Sequence, residues 1–272
     1  MCDFAIDDIK NALGFEPPEP NINPEDLEAL GLKVYEGVVD VNALDLTLYA
    51  QTVSYLMKGV IQGFGGLADD FVFGTGLNLT ATGIENNIWR FSAAKQYQQV
   101  RTLSKLVNKA VPYNEFKKVA DVVLNDYNKN YLKTEYITSV LQSQAAREWV
   151  DFDENENIQF LRYNTQRDGR VRPAHAALDK ITLPKNDSFW NDHAPANGWR
   201  CRCFLSGVEE VRKTTDLKTK KIPAFGTKDF PKEFKMNPAK DKIVFKSNHP
   251  YFSVAKGDQA LKKRNFNLPL PA

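Results

Sequence analysis

From Asp45 onward, Leu46, Tyr49, Val53, Leu56, Met57, Val60, Ile61 and Phe64 recur at three- and four-residue steps, the period that lines up one face of an α-helix. Gly63, Gly65 and Gly66 are expected to end that helix. Ile84, Ile88, Trp89, Tyr97, Val100, Leu103 and Val107 keep the same period and predict a second helix over 84–109. Pro112 and Asn114 are read as the stop of that helix and the cap of the next. The third segment, 114–149, carries Phe116, Val119, Val123, Tyr127, Tyr131, Val140, Leu141, Ala145 and Trp149 without an internal proline. A continuous helix of that length would reach roughly 50 Å. Glu135 and Arg147 are expected on its solvated face.

Beyond an acidic turn at 151–157 the pattern changes. Ile158-Gln159-Phe160-Leu161-Arg162-Tyr163 reads as a strand and Asp168-Gly169 as a turn. Ten of the fourteen prolines fall in 1–24 or 209–272, so both ends read as extended arms that dock on another surface. The expected fold class is therefore α+β. An extended arm at 1–44 precedes a helical region at 45–150, a small loop-rich module at 151–208 and a basic, proline-containing arm at 209–272.

With 272 residues, 42% of them apolar and 26% charged, the chain has the composition of a globular protein able to build a core. The charge-free stretches 46–57, 59–68 and 71–84 are too short or too polar to span a bilayer. Asp3, Asp7 and Asp8 stand where a secretory leader would carry positive charge, which predicts a cytoplasmic start. The net charge of +2 hides a polarity: residues 1–90 are net −10, and 199–272 hold 17 Lys or Arg against 7 Asp or Glu. Such a basic segment suits a nucleic acid or acidic partner, and equally a solvated surface.

Candidate chemistry concentrates in the module. His175, His193, Cys201 and Cys203 lie within thirty residues of one another. If 199–205 is a strand, Cys201 and Cys203 share a face, and with His175 and His193 they offer a structural zinc a Cys2His2 set. The alternative is that the cysteines are small buried apolar groups and His175 bonds a backbone carbonyl. Asp168 is expected to hold its loop by pairing with Arg170 or Arg172. The zincin and zinc-deaminase patterns are missing, and Gly63-Phe64-Gly65-Gly66 lacks the Lys-Ser or Lys-Thr of a phosphate loop. No catalytic constellation emerges.

The block Asp168-Gly169-Arg170-Val171-Arg172-Pro173-Ala174-His175, followed by Phe189-Trp190 and by Pro195-Ala196-Asn197-Gly198-Trp199-Arg200-Cys201-Arg202-Cys203, resembles the phage Mu F-like head morphogenesis family. Tyr131-Leu132-Lys133-Thr134-Glu135-Tyr136, Asn237-Pro238 and His249-Pro250-Tyr251 extend the likeness, which is strongest at 130–206. The resemblance implies a non-enzymatic minor head protein of a tailed double-stranded DNA phage or prophage. Its implied place is the head interior or the portal vertex, after assembly in the host cytoplasm. Its implied partners are the portal and other head proteins, with packaged DNA contacted through the basic C-terminal region and no membrane involved. The competing reading is a metal-assisted hydrolase or processing protease built on Asp168, His175, Cys201 and Cys203.

Overall fold

The computed structural model describes residues 17–271. The part of the expected N-terminal arm at 1–16 lies outside the described residues. Helices α1 (Pro24–Glu36), α2 (Leu46–Phe64), α3 (Gly76–Leu106), α4 (Tyr113–Asn125) and α5 (Leu132–Glu154) come first. Strands β1 (Phe160–Asn164), β2 (Thr182–Pro184) and β3 (Phe204–Val208) follow, separated by the short helices α6 (Pro173–Ala176) and α7 (Phe189–His193). Single helical turns, among them α8 (Pro238–Asp241) and α9 (Gln259–Lys263), punctuate the rest. The fold class is α+β, as expected. Among the described residues no helix is long and apolar enough to cross a membrane.

The chain forms two compact units, and α2, α3 and α5 contribute residues to both. One unit comprises 18–58, 85–136 and 247 onward. Its core is helical, with Leu30, Val34, Leu56, Ile88, Phe91, Val100, Leu103, Phe116 and Leu132 buried. Helix α1 corrects the extended reading of residues 24–36. Pro24 is its first residue, the Asn23 side chain accepts from the Glu25 N–H, and Gly37 closes it in a left-handed conformation at φ 85°. A proline whose N–H would be orphaned in any case starts a helix as readily as it breaks one.

The segment read as one helix over 114–149 has a wider π-helical turn at Asp126–Tyr131, between α4 and α5. Inside that turn the Asn128 side chain donates to the Leu124 carbonyl at 2.8 Å. That competes with the regular backbone ladder. The cap of α4 is Pro112 rather than Asn114.

Glu135 is buried, contrary to its expected place on the solvated face. Its carboxylate meets Lys95 Nζ at 2.7 Å with both side chains almost fully enclosed, and it accepts from the Tyr251 hydroxyl at 2.9 Å. Tyr127 and Tyr251 present their rings to the ammonium, 5.7 and 5.5 Å away. Burial pushes the Lys95 pKa down, and the Glu135 charge opposes that fall.

The other unit comprises 59–84 and 137–246. Its sheet has the order β2-β1-β3 and is antiparallel throughout, with Leu161 opposite Leu183 and Tyr163 opposite Leu205. Leu161, Tyr163, Leu183 and Leu205 are buried. The sheet joins Ile137, Val140, Trp149, Leu178, Ile181 and Trp190 in one apolar core. Helix α5 is tied to the module by Gln142 Nε2, which donates to the Ala196 carbonyl at 2.7 Å. Gly63 does not end α2 but lies inside it, facing the Val140 carbonyl so closely that a Cβ would collide. The residue beyond the helix end is Gly65, at φ 87°.

The C-terminal segment also departs from the docking-arm reading, because its apolar residues are spent on the chain itself. Phe230, Phe234, Met236, Val244 and Phe245 are buried in the sheet-containing unit. There Asn237 donates to the Trp190 carbonyl at 3.1 Å, and the Lys240 ammonium lies 4.9 Å from the Trp149 ring. Phe252, Leu261, Phe266 and Leu268 are buried in the helical unit, where Phe266 stacks on Tyr97 at 4.9 Å.

Breaking a buried ion pair from one side strands a charge, which costs about 3–5 kcal/mol, whereas replacing both partners by apolar groups of similar size costs far less. Glu135→Ala should therefore lower the urea midpoint markedly, and the double variant Lys95→Met/Glu135→Leu should recover most of the loss.

Candidate functional site

The module is built from the backbone inward. Pro173 opens α6, whose single turn places His175 in the core. The Arg172 guanidinium, just before it, donates to the Trp199 carbonyl at 2.6 Å. Residues 198–203 are not a strand, since β3 begins at Phe204. Instead the chain turns, with the Cys201 N–H bonded to the Gly198 carbonyl at 3.1 Å and Arg200 in the left-handed region at φ 55°. That turn, rather than a strand's two-residue alternation, aims both cysteines at one point.

His175 Nδ1 lies 3.2 Å from Cys201 Sγ and 3.5 Å from Cys203 Sγ. Its other ring nitrogen, Nε2, bonds the Asp229 carbonyl at 2.9 Å. The three ligand atoms lie within 4.8 Å of one another, with His175 and Cys201 buried and Cys203 half-buried. Burial resists ionisation of the Cys201 thiol, but hydrogen bonds from Cys203 and His175 outweigh it and hold its pKa well below the ordinary value. Burial likewise opposes a charged His175, and the hydrogen bond and charge of Cys201 reverse that, so its pKa is raised.

Of the four residues expected to bind metal, the structure brings together His175, Cys201 and Cys203 and leaves His193 out. The His193 ring stacks on Phe189 at 4.4 Å, and its Nδ1 faces the Phe189 carbonyl at 3.3 Å. Burial pushes its pKa down, which suits a neutral ring packed among aromatic neighbours. Its role is packing within a cluster that includes Phe225 and Phe230.

Polar groups around the site fix the loops. The buried Tyr163 hydroxyl donates to Asn197 Oδ1 at 3.0 Å, and Asn197 Nδ2 donates to the Ala194 carbonyl at 2.8 Å. Asp168 does hold its loop, but chiefly through a residue outside the expected pair. Arg202 grips it with two bonds, at 2.7 and 2.9 Å. Arg170 stands further off at 3.7 Å, and Arg172 is committed to Trp199. Asp179 closes the other side by accepting from Thr165 N at 2.9 Å and from Arg167 Nε at 3.0 Å. The sequence offered a signal for Arg202, since it sits between the two cysteines in the motif. No residue pattern marked the Asp229 carbonyl, which is a backbone atom.

Residues 81–206 match the family model described as Phage Mu protein F like protein. The chain is 40% identical over 53 residues to the provisionally named capsid assembly protein F of Escherichia phage Mu, a stretch covering 20% of this chain and 12% of that one. It is 29% identical over 82 residues to the Mu-like prophage FluMu F protein of Haemophilus influenzae, covering 30% of this chain and 19% of the relative. The matched stretches thus span less than a fifth of either relative's length. No solved structure matches the chain.

The Arg202 bonds hold the Asp168 carboxyl down, from 3.8 to about 2. A carboxylate depressed in the folded state contributes stability that is present above its unfolded pKa and is lost as pH falls through its folded one. In thermal melts between pH 5 and 2, Asp168→Asn should lie below the parent at pH 5 and converge on it towards pH 2. A constant gap across that range would assign the loss to something other than this ion pair.

Proposed function

We propose that this chain, whose residues 81–206 match the family described as Phage Mu protein F like protein, is a structural protein of head morphogenesis in a tailed double-stranded DNA phage or a prophage. The single observation that supports this most is the match of residues 81–206 to that family, a stretch that contains most of the module around His175, Cys201 and Cys203. The polar side chains nearest the imidazole–thiol cluster are spent on holding loops together. Arg172 binds a backbone carbonyl, Tyr163 binds Asn197, and Arg202 binds Asp168. Such a module fixes the geometry of whatever it carries.

The hydrolase or protease reading draws on the same Cys201–His175 contact, which pairs a nucleophile with a base. A nucleophile must meet its substrate, and Cys201 is 3% exposed while His175 Nε2 is engaged by a backbone carbonyl. The geometry favours a tie over a reaction centre.

The finer reading places the protein in the virion, as a minor component beside the portal. The segment 212–228 supports contact with packaged DNA. Arg212, Lys213, Lys218, Lys220, Lys221 and Lys228 are exposed there, with Asp216 as the exposed acid among them. Lys and Arg so displayed read phosphate and not sequence, so binding would weaken steeply as salt rises.

The test uses a lysogen that carries this chain with a small affinity tag. After induction, the full-length chain should be found in purified heads in fewer copies than the shell protein and should cross-link to the portal. Replacing Lys218, Lys220 and Lys221 by Gln should lower the salt concentration at which the purified protein leaves immobilised duplex DNA. Heads that lack the chain, with normal yields of infectious particles after its deletion, would overturn the assembly reading.

A further inference from the structure

The imidazole–thiol cluster carries an inference that the assembly role does not require. We propose that His175, Cys201 and Cys203 form a zinc site of three protein ligands, with water completing the coordination.

The tautomer of His175 is set by its backbone partner. A backbone carbonyl only accepts, so the 2.9 Å contact from Nε2 to the Asp229 oxygen puts a proton on Nε2. In the neutral ring that leaves the Nδ1 lone pair bare and pointed at the two sulfurs, 3.2 and 3.5 Å away. A ligating histidine characteristically donates its other N–H to a carbonyl or carboxylate in this way, which orients the ring and raises its basicity.

Distance and charge agree. With Zn–S near 2.3 Å and Zn–N near 2.0–2.1 Å, a tetrahedral ion holds its nitrogen and sulfur ligands about 3.6 Å apart and two sulfurs about 3.8 Å apart. The three atoms already lie within 4.8 Å of one another, so seating the ion calls only for small side-chain shifts. Two thiolates neutralise a divalent cation and the imidazole adds no charge, so the occupied site is neutral in a buried setting where uncompensated charge is costly. On binding, the two thiols release two protons to solvent as two Zn–S bonds and one Zn–N bond form. Thiolate and imidazole donors select zinc over magnesium or calcium, which take oxygen ligands.

Gly198 packs beside the His175 ring and the Arg172 guanidinium, where even a Cβ would stand 3.6 and 3.3 Å from them. His193, stacked on Phe189, is not a ligand. The ion would join α6 to the 198–203 turn and, through the ring's bond to Asp229, to the C-terminal segment. It would act as a staple across a region with little regular structure.

The full chain, purified under reducing conditions from zinc-supplemented cells, should carry about one zinc per chain by elemental analysis. His193→Ala should keep it, and Cys201→Ser/Cys203→Ser should lose it. Cobalt added to zinc-stripped parent protein should give thiolate-to-metal charge-transfer absorption with the strong visible bands of tetrahedral coordination. If the double variant fails to fold, titrating the parent with an organomercurial should release zinc in step with thiol modification. Parent protein that holds no zinc and gives no cobalt–thiolate band would overturn the proposal, as would zinc retained in a folded double variant or lost in His193→Ala.

Discussion

The module turns on the commitment of one imidazole. His175 has two ring nitrogens, and bonding one to the Asp229 carbonyl settles what the other presents to Cys201 and Cys203. That ring joins segments 26 and 28 residues apart on one side, and 54 residues apart on the other. Its neighbours keep these segments in register. Arg172 holds the Trp199 carbonyl, Arg202 holds Asp168, and Asn197 takes the Tyr163 hydroxyl. A region whose sheet has only three short strands cannot rely on a ladder for rigidity, and side-chain bonds to backbone supply it instead.

The helical unit reaches definition by a different route. Lys95 and Glu135 are charges that would be cheaper in water, yet they face one another in the core under Tyr127 and Tyr251. A pair of this kind adds little net stability compared with an apolar replacement, but it penalises any packing that separates its members. The final residues take part in that packing: Tyr251 bonds Glu135, Phe252 lies against Phe91, and the Tyr49 hydroxyl donates to the Pro269 carbonyl. Both units therefore use the C-terminal segment as an internal strap.

Much of this was legible in the chain before any coordinates. Apolar residues at helical spacing located α2 and α3 to within a few residues at most ends, because a helix that buries one face must repeat that face. The main discrepancy was the start of α3, where Gly76 opens the helix eight residues before Ile84, in a stretch with a weaker apolar stripe. Helix α1 was missed for a chemical reason: Pro24 was weighed as a breaker, although Asn23 before it and Glu25 and Asp26 after it spell a helix start. Glu135 was misplaced because its partner stands 40 residues away and no local pattern announces a buried Lys. In the module His175, Cys201 and Cys203 lie together and His193 does not, and the strand expected over 199–205 begins only at Phe204. The convergence comes from a turn with Arg200 at positive φ, which residue alternation cannot express. The Asp229 carbonyl had no side-chain signature to read.

His175 ties the C-terminal segment to the module through the Asp229 carbonyl, and hydrogen–deuterium exchange on the full chain tests that tie most directly. In a folded His175→Gln variant, amides in 209–246 should exchange markedly faster than in the parent, while those in 247–271, anchored through Phe252, Phe266 and Leu268, should keep their rates. Unchanged exchange across 209–246 would contradict the account, because the strap would then be held without the imidazole on which the description of the module depends.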